Sequence, residues 1–196
     1  MPRDRDYIGV MADPIRKDET YSYEDYLAWP NDERWELIDG HAYGMSPAPL
    51  FQHQKTVTSV VGQLHAQLKG KRCQSMVAPL DVRLTETDTL GKETTHTVQP
   101  DVLIFCDPSK ADEKGLTGAP DWILEVLSDG TSWKDETIKL DLYERFGVKE
   151  YWILNPVTKL LLVYLLQDKK YGVPLALLGP TTVSLTAIPE LTIDIE

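Results

Sequence analysis

The chain has 196 residues, of which 42% are hydrophobic and 26% charged, a mixture that fits one globular domain with enough apolar surface for a real core. Its formal net charge of −11 argues against a broadly basic nucleic-acid surface, because backbone affinity comes from cations that neutralise phosphates. That balance does not exclude a nuclease, since a local metal site can bring phosphate to carboxylates that would otherwise repel it.

No apolar run is long enough to span a bilayer, and the start lacks the basic, apolar, small-residue order of a signal peptide. A cytoplasmic, non-membrane protein is the expectation. Cys73 and Cys106, without a secretory leader, are read as buried thiols rather than a disulfide framework.

Residues 1–19 mix charges, proline and scattered apolar groups without a period, which predicts a flexible N-terminal arm ahead of a single domain over 20–196. Ser22 to Asp25 reads as a capping box opening a short helix that Pro30 ends. Trp35 to Met45 reads as two short strands joined at Asp39-Gly40, a favourable tight-turn pair, and Asp39 is most simply a turn residue. From Phe51 to Leu68, His53, Val57, Val60, Val61, Leu64 and Leu68 recur every three or four residues and predict a helix covering a sheet.

After Gly70, alternation through Leu80, Val82 and Leu84 predicts a strand, and the polar stretch from Thr85 to Thr97 a hairpin-like excursion. V-Q-P-D-V-L-I-F-C and D-W-I-L-E-V-L-S read as central strands, the first continuing past its proline, with Pro108 to Pro120 as an exposed connection. Trp133 to Phe146 fits one helix, with Ser128 and Thr131 ending the strand before it and capping it. A hairpin around Asn155 to Thr158 follows, and the tail, punctuated by Pro174, Pro180 and Pro189, reads as edge strands or a surface extension. Strand, helix, strand in that order favours a mixed α/β sheet.

Charges in apolar runs mark the candidate site. Glu125 shares a strand face with Ile123 and Leu127, so it needs a salt bridge, a hydrogen bond in its acid form, or a metal. Lys139 falls on the packed stripe of Asp135, Ile138, Leu142, Tyr143 and Phe146. Asp101 shares a face with Leu103 and Phe105, where sheet pairing can bring it beside Glu125. Glu36 reads equally as the polar member of an amphipathic strand or as a group that completes metal coordination, orients water or holds a ligand. His53 is either a satisfied boundary histidine or a catalytic one, while His41, His65 and His96 have weaker placement arguments. The oxygen-rich set suits Mg²⁺ or Mn²⁺ rather than zinc, and the glycine-bearing segments make no persuasive nucleotide site while no serine triad has a comparably specific signal.

The blocks W-E-L-I-D-G, S-P-A-P-L-F-Q-H, V-Q-P-D-V, P-D-W-I-L-E-V-L-S, D-E-T-I-K-L-D-L-Y and G-V-K-E-Y-W-I-L-N-P resemble, in that order, the Uma-type family of the PD-(D/E)XK nuclease superfamily. The resemblance implies a restriction-endonuclease-like mixed β-sheet flanked by helices, a homodimer, and divalent-metal-dependent cleavage of DNA phosphodiesters. It assigns Asp101 and Glu125 as Mg²⁺ ligands, Glu36 as an early acid that binds directly or from an outer shell, and His53 as an associated histidine. Leu127 stands where the simplest motif has lysine, so Lys139 would supply the amine from the following helix. The competing expectation is a catalytically inactive nucleic-acid or protein interaction module that keeps the charged core for folding.

Overall fold

The computed structural model describes residues 19–30, 33–45, 50–128 and 132–196. The expected N-terminal arm, the S-P-A-P segment and Thr131 fall, wholly or almost so, outside the described residues.

The first half of the chain largely follows its local signals. α1 (Tyr23–Leu27) opens on the capping box, with the Asp25 N–H donating to Ser22 Oγ at 3.2 Å and the Ser22 N–H to Asp25 Oδ2 at 2.8 Å. β1 (Trp35–Ile38) and β2 (His41–Gly44) pair across a turn whose residues Asp39 and Gly40 take φ of 51° and 77°, the left-handed pair that such a turn needs. α2 (Phe51–Leu68) buries His53, Val57, Val60, Leu64 and Leu68 of the expected stripe, with Val61 half-buried. β3 (Gln74–Val77) precedes the hairpin of β4 (Val82–Thr87) and β5 (Glu93–Val98).

V-Q-P-D-V-L-I-F-C is not one strand. β5 ends at Val98 and β6 (Val102–Phe105) begins after Asp101, so Gln99 to Asp101 carries the chain from one sheet to another. Pro100 has no N–H for a ladder, and the Gln99 and Asp101 N–H groups turn to carboxylates instead. Nor is Pro108 to Pro120 merely a surface connection. It holds β7 (Ala111–Asp112) and β8 (Gly115–Thr117), buries Leu116, and pairs β8 in parallel with β4. Gly115, at φ 124°, passes so close to Asp81 that a Cβ would lie 2.2 Å from its carbonyl oxygen.

β9 (Trp122–Val126) leads into α3 (Ser132–Glu136) and α4 (Ile138–Phe146), then into β10 (Glu150–Leu154), which lies parallel to β9. The helix expected over Trp133 to Phe146 is therefore two, broken at Thr137, whose φ of −127° and ψ of −72° lie outside the helical region. β11 (Leu160–Gln167) completes the expected hairpin, followed by β12 (Lys170–Tyr171), β13 (Leu175–Leu178), β14 (Thr181–Ser184) and β15 (Thr192–Ile195). The tail is no surface extension: Val183, Leu185, Ile188, Leu191, Ile193 and Ile195 all enter the core, and Gln63 and Gln67 of α2 hold the backbone of β15. Glu150 fastens the same segment from below, accepting the Ala187 N–H at 2.7 Å.

Two mixed sheets result, ordered β2-β1-β5-β4-β8-β7 and β12-β11-β10-β9-β6-β3, the second joined by β13 alongside β11. Alternation divides the second sheet's side chains. Val102, Ile104, Trp122, Leu124 and Trp152 face α2 and the C-terminal hairpin, while Leu103, Phe105, Ile123, Tyr151 and Ile153 pack with α4 and the first sheet. Each such burial contributes about 1.5–3 kcal/mol. The architecture is the expected α/β fold, mixed sheets flanked by helices. No described helix is long and apolar enough to cross a membrane.

The cysteines contradict the thiol expectation. Register sets Cys73 opposite Cys106 where β3 meets β6, and the two are joined as a disulfide across 33 residues of sequence. Opening a ring of that size is expected to cost about 3–4 kcal/mol of stability. Urea unfolding should show a lower midpoint in dithiothreitol for the native chain and no such shift for Cys106→Ser.

Candidate active site

The charged residues gather where the two sheets meet α3 and α4. Extending the Val102–Leu124 register by one residue sets Asp101 opposite Glu125, and the Asp101 N–H points at Glu125 Oε2 at 3.4 Å. Glu125 shares the face of Ile123, which turns it into the space between the sheets and under α4. There Lys139 Nζ lies 2.8 Å from Glu125 Oε1, and the Tyr143 hydroxyl donates to the same oxygen at 3.0 Å. Asp101 Oδ2 accepts the Val126 N–H at 2.8 Å and lies 3.1 Å from His53 Nε2, in the first turn of α2. Asp101, Glu125, Lys139 and His53 are thus brought together.

Glu36 belongs to the same group, and as a fully buried residue rather than the outer member of an amphipathic strand. Its Oε1 accepts the Gln99 N–H at 3.0 Å and pairs with Lys139 at 2.8 Å, while Oε2 is bonded to Lys134. Gln99 is itself clamped: its side chain accepts from Arg34 and donates to Asp81, which also takes the Tyr26 hydroxyl. Asp135, at the end of α3, completes the cluster, 3.4 Å from Lys139 across the break at Thr137.

Sharing one lysine drives the two glutamates apart. Burial opposes ionisation of Glu36, but Lys134, Lys139 and the Gln99 N–H outweigh it and hold the carboxyl at about 2. For Glu125 burial prevails over Lys139, and the charges of Asp135, Asp101 and Glu36 add to it, so the carboxyl is pushed up to about 8. Burial also raises Asp135. Lys139, despite burial, is held well above its ordinary value by Glu125, Glu36 and Asp135. It is therefore an ammonium at any working pH, a donor of charge and hydrogen bonds rather than a base. His53 is raised as well, because the hydrogen bond and charge of Asp101 outweigh burial.

The chain matches the family Uma2, described as "Putative restriction endonuclease", over residues 23–196. It belongs to that family. Among solved structures it is similar to a protein from Anabaena variabilis described as a "putative nuclease belonging to DUF820", with a TM-score of 0.69 and 21% identity over 89% of this chain and 94% of that one. At that identity the likeness speaks for the fold. Comparison with curated proteins gives no match.

In this Uma2 chain the sequence signals stop short of Lys134, Asp135, Tyr143 and Gln99. Asp135 and Tyr143 lie on the predicted stripe but carry no chemical signal there, and Lys134 lies off it. Lys134 is buried on α3, a separate short helix ahead of Thr137, and one continuous helix over Trp133 to Phe146 does not anticipate that. Asp39, Glu86 and His96 form another cluster with ligand atoms within 4.8 Å, unrelated to the Uma2 acids above. Arg145 already pairs with Asp39 at 2.9 Å and Glu86 at 3.5 Å, and His96 Nδ1 accepts the Asp39 N–H at 3.0 Å. A cation would have to displace these partners, so the ligand atoms of this cluster are already engaged within the chain.

Proposed function

We propose that this chain is a divalent-metal-dependent endonuclease that hydrolyses DNA phosphodiester bonds, with residues 20–196 as one domain and the homodimer as its working form. The observation that carries the reading is the register-opposed pair Asp101 and Glu125 with Lys139 Nζ 2.8 Å from Glu125. The donor set fits a hard cation. Among the described residues, Asp101, with a side chain 20% exposed, leaves Oδ1 open, and Glu125 Oε2 has only the long Asp101 N–H contact. Asp101 and Glu125 would hold Mg²⁺ or Mn²⁺, and the ion when bound would supply Lewis-acid stabilisation of phosphate charge.

The protein's own groups then divide the work. Lys139 keeps its proton and presents positive charge toward the phosphate. Glu36, with both oxygens engaged, acts as the counter-ion that holds Lys139 and Lys134 in place, a positioning role rather than a direct ligand. His53 orients Asp101 through Oδ2, as an outer partner orients a ligand. Support for the homodimer comes from the family resemblance.

Purified protein assayed on linear, nicked, branched and single-stranded DNA with Mg²⁺, Mn²⁺ or EDTA tests the reading. Metal-dependent products support it. Absence of cleavage across the panel with retained DNA binding would favour the inactive interaction module. His53→Ala is expected to reduce cleavage about 10–100-fold, with the loss appearing as a higher metal requirement. A variant with an unchanged metal dependence would argue that His53 is only a packing residue.

A further inference from the structure

Beside the Asp101–His53 pair lies a cavity of about 580 Å³ whose lining includes Phe51, His53, Leu127, Ser132, Asn155 and Val157. Its size is that of a small-molecule site rather than a packing defect. Phe51 is 78% exposed and Val157 77%, and Leu50 beside them is exposed too, which makes a clustered apolar patch rather than scattered single residues.

Polar groups in the lining point to a ligand with a hydrogen-bonding edge. His53 is only 7% exposed, its Nε2 faces Asp101, and its buried Nδ1 has no hydrogen-bond partner among the described residues. Asn155 Oδ1 accepts the N–H groups of Val157 and Thr158, both at 2.9 Å, which fixes the carboxamide and leaves its NH₂ as a donor. A chain of net charge −11 gains little from phosphate contacts, so a substrate strand must be held in part through its bases.

Building on the nuclease reading, we propose that this cavity takes one unstacked nucleobase of a single-stranded DNA segment next to the phosphate at Asp101 and Glu125. Phe51 is the stacking platform, and the Asn155 carboxamide meets the edge of the base. A closed duplex would have to pay for unstacking before offering that base, so the favoured substrate is single-stranded DNA or a gap or flap within a duplex.

Fluorescence anisotropy in EDTA, with a labelled single-stranded oligonucleotide and the matching duplex, tests this without requiring cleavage. Phe51→Ala is expected to weaken single-strand binding about tenfold, the scale of one lost base–aromatic stack, and to change duplex binding less than about twofold. Phe51→Trp should bind as the native chain does. An oligonucleotide with one abasic site, moved along the strand, should bind the native chain weakly at one position and show no such position with Phe51→Ala. Because Phe51 is exposed, its replacement leaves the core untouched, and circular dichroism verifies the fold. No single-strand binding by the native chain, equal losses on both DNAs, or a change of sedimentation with Phe51→Ala, which would mark the patch as a seat for a second copy, each overturn the proposal. If Glu125→Gln abolishes cleavage while Phe51→Ala binds normally, the nuclease reading survives and the base pocket does not.

Discussion

Glu125→Gln is expected to lower metal-dependent cleavage by at least about 10²–10³-fold while leaving a folded protein that is relatively more stable toward alkaline pH. The first effect follows from removing a charged oxygen donor opposite Asp101. The second follows from proton linkage. In the metal-free fold the carboxyl is pushed up to about 8 from its ordinary 4.5, so between those values the folded chain holds a proton that the unfolded chain releases. Native stability therefore falls as pH rises through that window, and glutamine, with no proton to lose, escapes the loss. Urea unfolding in EDTA from pH 5 to 8.5 should show the variant gaining on the native chain as pH rises. A difference that is flat with pH would mean Glu125 is already ionised in the fold, and unchanged cleavage by the variant would remove it from the active site.

Glu125, Lys139 and Asp101 were legible because each is a charge at a position whose period says buried. Ile123, Glu125 and Leu127 share a strand parity, Lys139 falls in the Ile138, Leu142 and Tyr143 stripe, and Asp101 keeps step with Leu103 and Phe105 even though it lies just outside the strand. Periodicity reports which way a side chain points, but not where an element breaks. The chain leaves the first sheet at Gln99-Pro100-Asp101 because the N–H groups there find carboxylates, a tertiary choice that favourable strand propensities on both sides conceal. Lys134 was hidden by the break at Thr137 for the same kind of reason. Pairing of Cys73 with Cys106 depends on the register of β3 against β6, set by segments 33 residues apart. The tail's reading stays open between edge strands and a surface extension because prolines interrupt its alternation, yet its apolar face is what closes the sheet opposite α4.

Glu36→Gln is expected to be the most destabilising single substitution in the cluster, by about 3–5 kcal/mol, because it leaves buried ammonium groups without their shared counter-charge. Lys134 and Lys139 both pair with Glu36, and the amide that replaces it can still accept a hydrogen bond but carries no charge. Here the linkage runs opposite to that of Glu125. The folded value of about 2 lies below the ordinary 4.5, so the contribution is complete above 4.5 and is lost as pH falls toward 2. The stability gap between native chain and variant should therefore be constant from pH 7 to 5 and narrow below about 4.5, where the unfolded native chain protonates this glutamate and the folded chain does not. Lys134→Met separates pairing from packing. Combined with Glu36→Gln it removes one orphaned charge together with the lost partner, so the double variant should be more stable than the two single losses added together predict. Additive losses would show that Glu36 and Lys134 are not coupled in solution, and the buried cluster would then have to be held by Lys139 alone.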